Sequence, residues 1–154
     1  MVILTGSLGP FGFLPASGTI TVAALGVPLF YLMREWPYSA RAVLMVAVTA
    51  LAVWIHQLGD RILREKDSRK LVWDEIAGYL IAVTFLPFTP QLAIAAFVIE
   101  RIIDILKIQP ASWIERTWPG GWGVVGDDVV AGLYTWGVLY LLVVLTPSTF
   151  GLPV

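Results

Sequence analysis

Six carboxylates and two cations stand where an otherwise apolar chain can least tolerate them. Asp74 and Glu75 precede IAGYL, Asp127 and Asp128 precede VVAGLY, and Glu100, Arg101, Asp104 and Lys107 close a third apolar run. At about 100° per residue those last four fall within one third of a helix circumference, forming one polar face. Each acidic pair also has a glycine on its own helical face: Gly78 is four residues after Asp74, Gly132 is four after Asp128, and Ala77 and Ala131 flank them. Small residues let membrane helices approach closely, so packing the two faces together brings Asp74, Glu75, Asp127 and Asp128 into one pocket. Their mutual repulsion then demands a cation. Oxygen ligands without nitrogen or sulfur select a hard ion, Mg²⁺, with Mn²⁺ as the alternative. Helix capping is the competing explanation, since an acid at the N-cap or in the first turn satisfies free N–H groups and suits the positive end of the dipole. For Asp104 the competing explanation is an i,i+3 ion pair with Arg101. His56 reads as a polar residue at a helix end, and Asp67 as one charge in the solvated run DRILREKDSRK.

The elements that position these residues belong in a membrane. Of the 154 residues, 58% are hydrophobic and 14% charged, against roughly 45 to 50% and about 25% in soluble domains. The mean hydropathy is +0.81, which leaves too little polar surface to coat a soluble particle of this size. A net charge of −1 offers no basic field for nucleic acid, and the absence of cysteine excludes disulfides, thiolate metal sites and a cysteine nucleophile. The N-terminus lacks a basic region and is punctuated by Gly6, Gly9, Pro10, Gly12, Pro15 and Gly18, so it does not read as a signal peptide.

Four to five apolar helical segments are expected, making one all-α, polytopic membrane bundle of short or broken helices that uses residues 1–154 as a single domain. Residues 20–33 form an apolar run of 14, short for a span and bent at Pro28; residues 42–59 span; Pro87 and Pro90 split 76–106 into two short helices; residues 129–145 span. Residues 60–75 gather ten of the 21 charged side chains and must lie outside the hydrocarbon. Residues 110–126, rich in Gly and Pro and carrying Trp113, Trp118 and Trp122, read as a loop on the membrane surface. If 76–106 enters and returns, Arg61, Arg64, Lys66, Arg69, Lys70, Arg101, Lys107 and Arg116 share one side, and only Arg34 and Arg41 lie on the other. By the positive-inside rule the crowded side is cytoplasmic.

The series GFLPASGT (12–19), LVWDEIAGY (71–79), ERIIDILKIQP (100–110) and GGWGVVGDDVVAGL (120–133) resembles the phosphatidylglycerophosphatase A family of bacterial membrane lipid phosphatases, in order and approximate spacing over nearly the whole chain. The resemblance implies a Mg²⁺-dependent hydrolase of the bacterial inner membrane that converts phosphatidylglycerophosphate to phosphatidylglycerol and phosphate, with a membrane phospholipid as its partner. It places Asp74, Glu75, Asp104, Lys107, Asp127 and Asp128 at the family's motif positions, and Asp67 where the family has the acid of a His-Asp pair. Three departures touch the headgroup pocket: Ser17-Gly18-Thr19 stands for Pro-Gly-Thr, Lys107-Ile108-Gln109-Pro110 for Lys-Pro-Trp-Pro, and Lys66 for the histidine before Asp67.

A phosphate dianion cannot approach four carboxylates unless metal reverses the local field. Asp74, Glu75, Asp127 and Asp128 are accordingly expected to hold one or two metal ions, and Asp74, Asp104 and Asp128 to be catalytic. Lys107 and Arg101 would neutralise phosphate charge, with Ser17 and Thr19 as further donors or else as part of a plain loop. Direct attack by water and an aspartyl-phosphate both remain open. Two rivals are weaker. A CDP-alcohol phosphotransferase would show a D-G-x-x-A-R signature that is absent, and a small cation transporter using Glu100 and Asp104 would carry its acids in mid-span, whereas these flank the helices.

Overall fold

The computed structural model describes residues 5–64, 68 and 70–153. Among them every regular element is helical. The first helix, α1 (Ser17–Glu35), is longer than the apolar run 20–33 suggests and is one of three helices long and apolar enough to cross a membrane. Pro28 does not break it. A π-turn at Val22–Gly26 precedes the proline and re-registers the backbone where an N–H is missing, and Met33–Glu35 closes the helix as a 3₁₀ turn.

The second span, α2 (Tyr38–Leu63), starts after Pro37 and runs past residue 59 to a left-handed Arg64. The expected boundary therefore moves. Asp60 and Arg61, expected in the charged loop, are helical residues near its end, and His56 and Gln57 lie within the helix as the run 42–59 implies.

The region 76–106 is two helices, as the prolines imply. The first, α3 (Trp73–Val83), is buried at every position from Ile76 to Val83. Only 11 residues long, it sits at the centre of the bundle, where apolar neighbours on all sides suit its all-round hydrophobicity. The second, α4 (Pro90–Leu106), has Pro at its first position, and the Leu92 N–H donates to the Thr89 hydroxyl at 3.1 Å, an ordinary N-cap.

The stretch 110–126 departs most from expectation. It folds as a short helix, α5 (Ala111–Thr117), followed by the third span, α6 (Gly121–Leu145). Asp127 and Asp128 consequently lie nearly two turns inside α6 and do not open it. Asp74 and Glu75 are in the first turn of α3, but its N-cap is Val72, without a side-chain cap. Neither pair is a capping pair.

The most extensive helix contact is between α3 and α6, and its centre is the glycine pair. A Cβ on Gly78 would stand 3.1 Å from the Asp128 carbonyl oxygen and 3.1 Å from a Glu100 carboxylate oxygen, and one on Gly132 would run into the Gly78 carbonyl. Only a backbone without side chains allows this approach, and it sets Asp128 beside the start of α3. At the far end of the bundle, buried Arg41 donates to the carbonyls of Arg34 (2.8 Å), Trp36 (3.1 Å) and Leu86 (2.9 Å), tying the α1–α2 turn to the α3–α4 turn.

Candidate active site

The start of α3, the end of α4, the second turn of α6 and the start of α1 meet at one end of the bundle. They enclose a well of about 190 Å³ lined by Ser17, Asp74, Glu75, Asp104, Lys107, Asp127 and Asp128, with Leu71 and Val124 as its apolar wall. A larger vestibule of about 530 Å³ adjoins it, shares Ser17, Glu75 and Asp104 with it, and adds Thr19, Lys70 and Arg101. All nine residues expected to form the site, the seven charged ones with Ser17 and Thr19, line one cavity or the other, whereas Glu100 lines neither. Ser17 and Thr19 belong to the first turn of α1 and not to a loop.

Three ion-pair groups organise the well. Arg101 is the hub of the first: its guanidinium grips Glu100 with two hydrogen bonds of 2.7 Å, pairs with Glu75, and reaches Asp104 at 3.4 Å. In the second, the Lys107 ammonium bridges Asp127 at 2.8 Å and Glu115 of α5 at 2.7 Å. Burial alone would lower the lysine's pKa, but the hydrogen bonds to Asp127 and Glu115 outweigh it and hold the ammonium above its ordinary value. In the third, the fully buried His56 ring lies with Nε2 3.3 Å from Asp74 Oδ1.

Two of the acids that Arg101 holds also belong to a knot of oxygens. Glu75, Glu100 and Asp128 each present a carboxylate oxygen within 4.8 Å of the other two. Asp128 is buried, and its Oδ1 has no hydrogen-bond partner. A carboxylate oxygen removed from water without a partner is expensive, and a hard cation is the natural complement of an all-oxygen donor set. Of the four residues expected to hold metal, Glu75 and Asp128 are in this knot, whereas Asp74 and Asp127 face the same well from beside His56 and Lys107.

Three participants were not read as part of the site from sequence. Glu100 was placed on the polar face but not among the ligands, although its adjacency to Arg101 was the signal. The helix-end reading of His56 follows from ending the helix at 59. Glu115 lay in the supposed surface loop. Asp67 and Lys66 fall outside the described residues.

A sequence profile described as Phosphatidylglycerophosphatase A matches residues 4–143. The chain belongs to the phosphatidylglycerophosphatase A family. That family is one of phosphatases. The phosphatidylglycerophosphatase A of Escherichia coli (strain K12) is 32% identical over 117 residues, covering 75% of this chain and 68% of its own. That of Haemophilus influenzae is 29% identical over 126 residues, covering 81% and 71%. A Bacteroides thetaiotaomicron protein described as a candidate phosphatidylinositol-3-phosphatase is 31% identical over 144 residues, covering 86% and 87%. No solved structure matches the chain. The segments that carry Asp74-Glu75, Arg101 to Lys107 and Asp127-Asp128 lie within the matched residues and line the well and its vestibule.

Proposed function

We propose that this protein hydrolyses the terminal phosphate monoester of phosphatidylglycerophosphate, releasing phosphatidylglycerol and inorganic phosphate, at the cytoplasmic face of a bacterial inner membrane. The observation that carries this reading is the meeting of five carboxylates with Lys107 in one well, and of Arg101 in the vestibule beside it, at the end of an apolar bundle, in a chain of this family. Eight of ten basic residues on the site's side of the chain favour the cytoplasmic orientation.

The unpartnered Asp128 oxygen and the all-oxygen knot fit Mg²⁺, with Mn²⁺ as a substitute. Glu75 and Asp128 would hold it, with Glu100, Asp74 and Asp127 around them. When bound, the ion supplies Lewis-acid polarisation of the phosphoryl group and a more acidic water. The chain's own residues do the rest. Arg101 and Lys107 offer N–H donors to the phosphoryl oxygens and offset their charge; each is held in place by carboxylates, so little reorganisation is needed when an anion arrives. Asp104 lines both well and vestibule, as does Ser17, and Thr19 lines the vestibule, so the Ser17 and Thr19 hydroxyls are further donors for the phosphate. Asp74, Asp104 and Asp128 are the catalytic carboxylates in this reading, and His56 fixes Asp74.

The test is phosphate release by the purified protein in nanodiscs, with phosphatidylglycerophosphate, phosphatidic acid and phosphatidylinositol 3-phosphate offered separately. Fastest turnover of the first supports the proposal. Preference for the inositol lipid would move the substrate toward the Bacteroides relative's description, and no release from any lipid phosphate would remove the enzyme reading.

A further inference from the structure

The vestibule is polar where it meets the well and apolar where it meets the outside. Glu75, Arg101 and Asp104 form its inner wall, and Phe13, Leu14 and Ile105 form its rim. Those rim residues are not tucked in: Phe13 is 59% and Ile105 73% exposed. Ile105 is also the last member of a stripe. Ile94, Val98, Ile102 and Ile105 are all exposed on α4, and their spacing of four, four and three puts them on one outward face. From Ile94 to Ile105 the helix rises about 16 Å, roughly half the ~30 Å hydrocarbon thickness of a bilayer, so the stripe is as long as one leaflet is deep.

The opposite rim is clamped. Residues 5–14 are tied to the strand of chain leading into α3: the Val72 N–H donates to the Gly6 carbonyl at 3.2 Å, the Trp73 indole N–H donates to the Thr5 carbonyl at 2.8 Å, and Gly12 lies so close to the Lys70 carbonyl that a Cβ would collide with it. A Cβ on Gly18 would likewise collide with the Glu75 carboxylate. The N-terminal segment is thus fastened to the well's own residues, and Phe13 and Leu14 project from a fixed edge.

Resting on the phosphatase reading above, we infer that the lipid substrate reaches the well sideways, through the gap between Phe13-Leu14 and Ile105. Its first acyl carbons lie against those side chains, and a chain extends along the Ile102–Ile94 stripe of α4. The occupant is the glycerol backbone and acyl chain of a membrane phosphate monoester, because the rim is continuous with the carboxylate well through Glu75 and Asp104. A second apolar groove, lined by Met45, Ile81, Phe85, Val129, Leu133 and Trp136 between α2, α3 and α6, shares no lining residue with the well or the vestibule.

The rim is tested by photocrosslinking the full chain in nanodiscs to a lipid phosphate with a diazirine near the carboxyl end of its acyl chain. Adducts mapped by mass spectrometry are expected on residues 13–14 and 102–106. Adducts confined to the Met45–Trp136 groove would overturn the inference. Ile105→Asp and, separately, Leu14→Asp are each expected to lower kcat/KM for a long-chain lipid phosphate relative to a water-soluble short-chain analogue by tenfold or more, and Val43→Asp on the outer face of α2 to leave that ratio within twofold. Ratios within twofold of wild type for both rim variants would contradict it. If wild-type protein released phosphate from neither substrate, the enzyme reading would fail instead, and the adduct map would still report on the rim.

Discussion

At the residue scale the chemistry depends on which carboxylates are already neutralised by protein and which are not. Asp127 has Lys107, Asp74 has His56, and Glu75 and Glu100 share Arg101, but Asp128 Oδ1 has no hydrogen-bond partner. Asp128→Asn keeps the shape and removes the charge, and because Asp128 caps nothing, the fold should persist. Phosphate release should fall at least 100-fold, on the order of 3 kcal/mol of transition-state stabilisation, with the detergent-solubilised melting profile little changed. His56 is the complementary case. His56→Leu removes the partner of a buried acid and should cut turnover roughly tenfold or more, while His56→Gln, which retains a donor, recovers part of it; equal activity of the Leu variant and wild type would show that Asp74 needs no orientation from His56. The identity of seven charged site residues was legible because charges in an apolar chain stand out. Their partners were not, since pairing depends on the rotation and depth of helices that sequence alone does not set.

At the scale of elements, the glycine contact between α3 and α6 could be read from two short motifs with a shared spacing, and the structure has it. Gly132→Leu must displace the Gly78 carbonyl or Ile81 and should separate the helices, costing about 1–3 kcal/mol in stability and most of the activity although no ligand is altered. A Gly132→Leu enzyme with wild-type turnover would show that the well tolerates a wider spacing. Arg41 predicts the reverse pattern. Arg41→Met strips three carbonyls of their donor at the far end, so thermal stability should drop while turnover per folded molecule stays within about twofold. Helix boundaries were the least legible feature. The charged run from Asp60 looks like loop in a membrane pattern, yet α2 continues to Leu63, and its Gln57 accepts the Gly121 N–H at 3.1 Å, so it helps start α6 in a stretch whose glycines suggest irregular chain.

For the whole molecule, three spanning helices and the central α3–α4 hairpin place every site element at one end, with exposed Trp113, Trp118 and Trp122 beside it and Trp36 and Tyr38 at the other. Aromatic side chains at both ends suit two headgroup layers, and the hairpin returns the chain to the side from which it came. Single cysteines should report this directly: Ser112→Cys is expected to label from the cytoplasm and exposed Ser39→Cys from outside, and labelling of Ser112→Cys from outside would contradict the returning hairpin. The bundle therefore gathers the carboxylate well at one end, where the proposed phosphatase would meet a lipid headgroup. Its most direct test is phosphate release from phosphatidylglycerophosphate by wild type and Asp128→Asn, each in Mg²⁺, in excess EDTA, and after Mg²⁺ is restored. Wild type should fall silent in EDTA and recover, and Asp128→Asn should stay below about 1% throughout. Full wild-type activity in EDTA, or near wild-type turnover by Asp128→Asn, would contradict a catalytic cation in the carboxylate well.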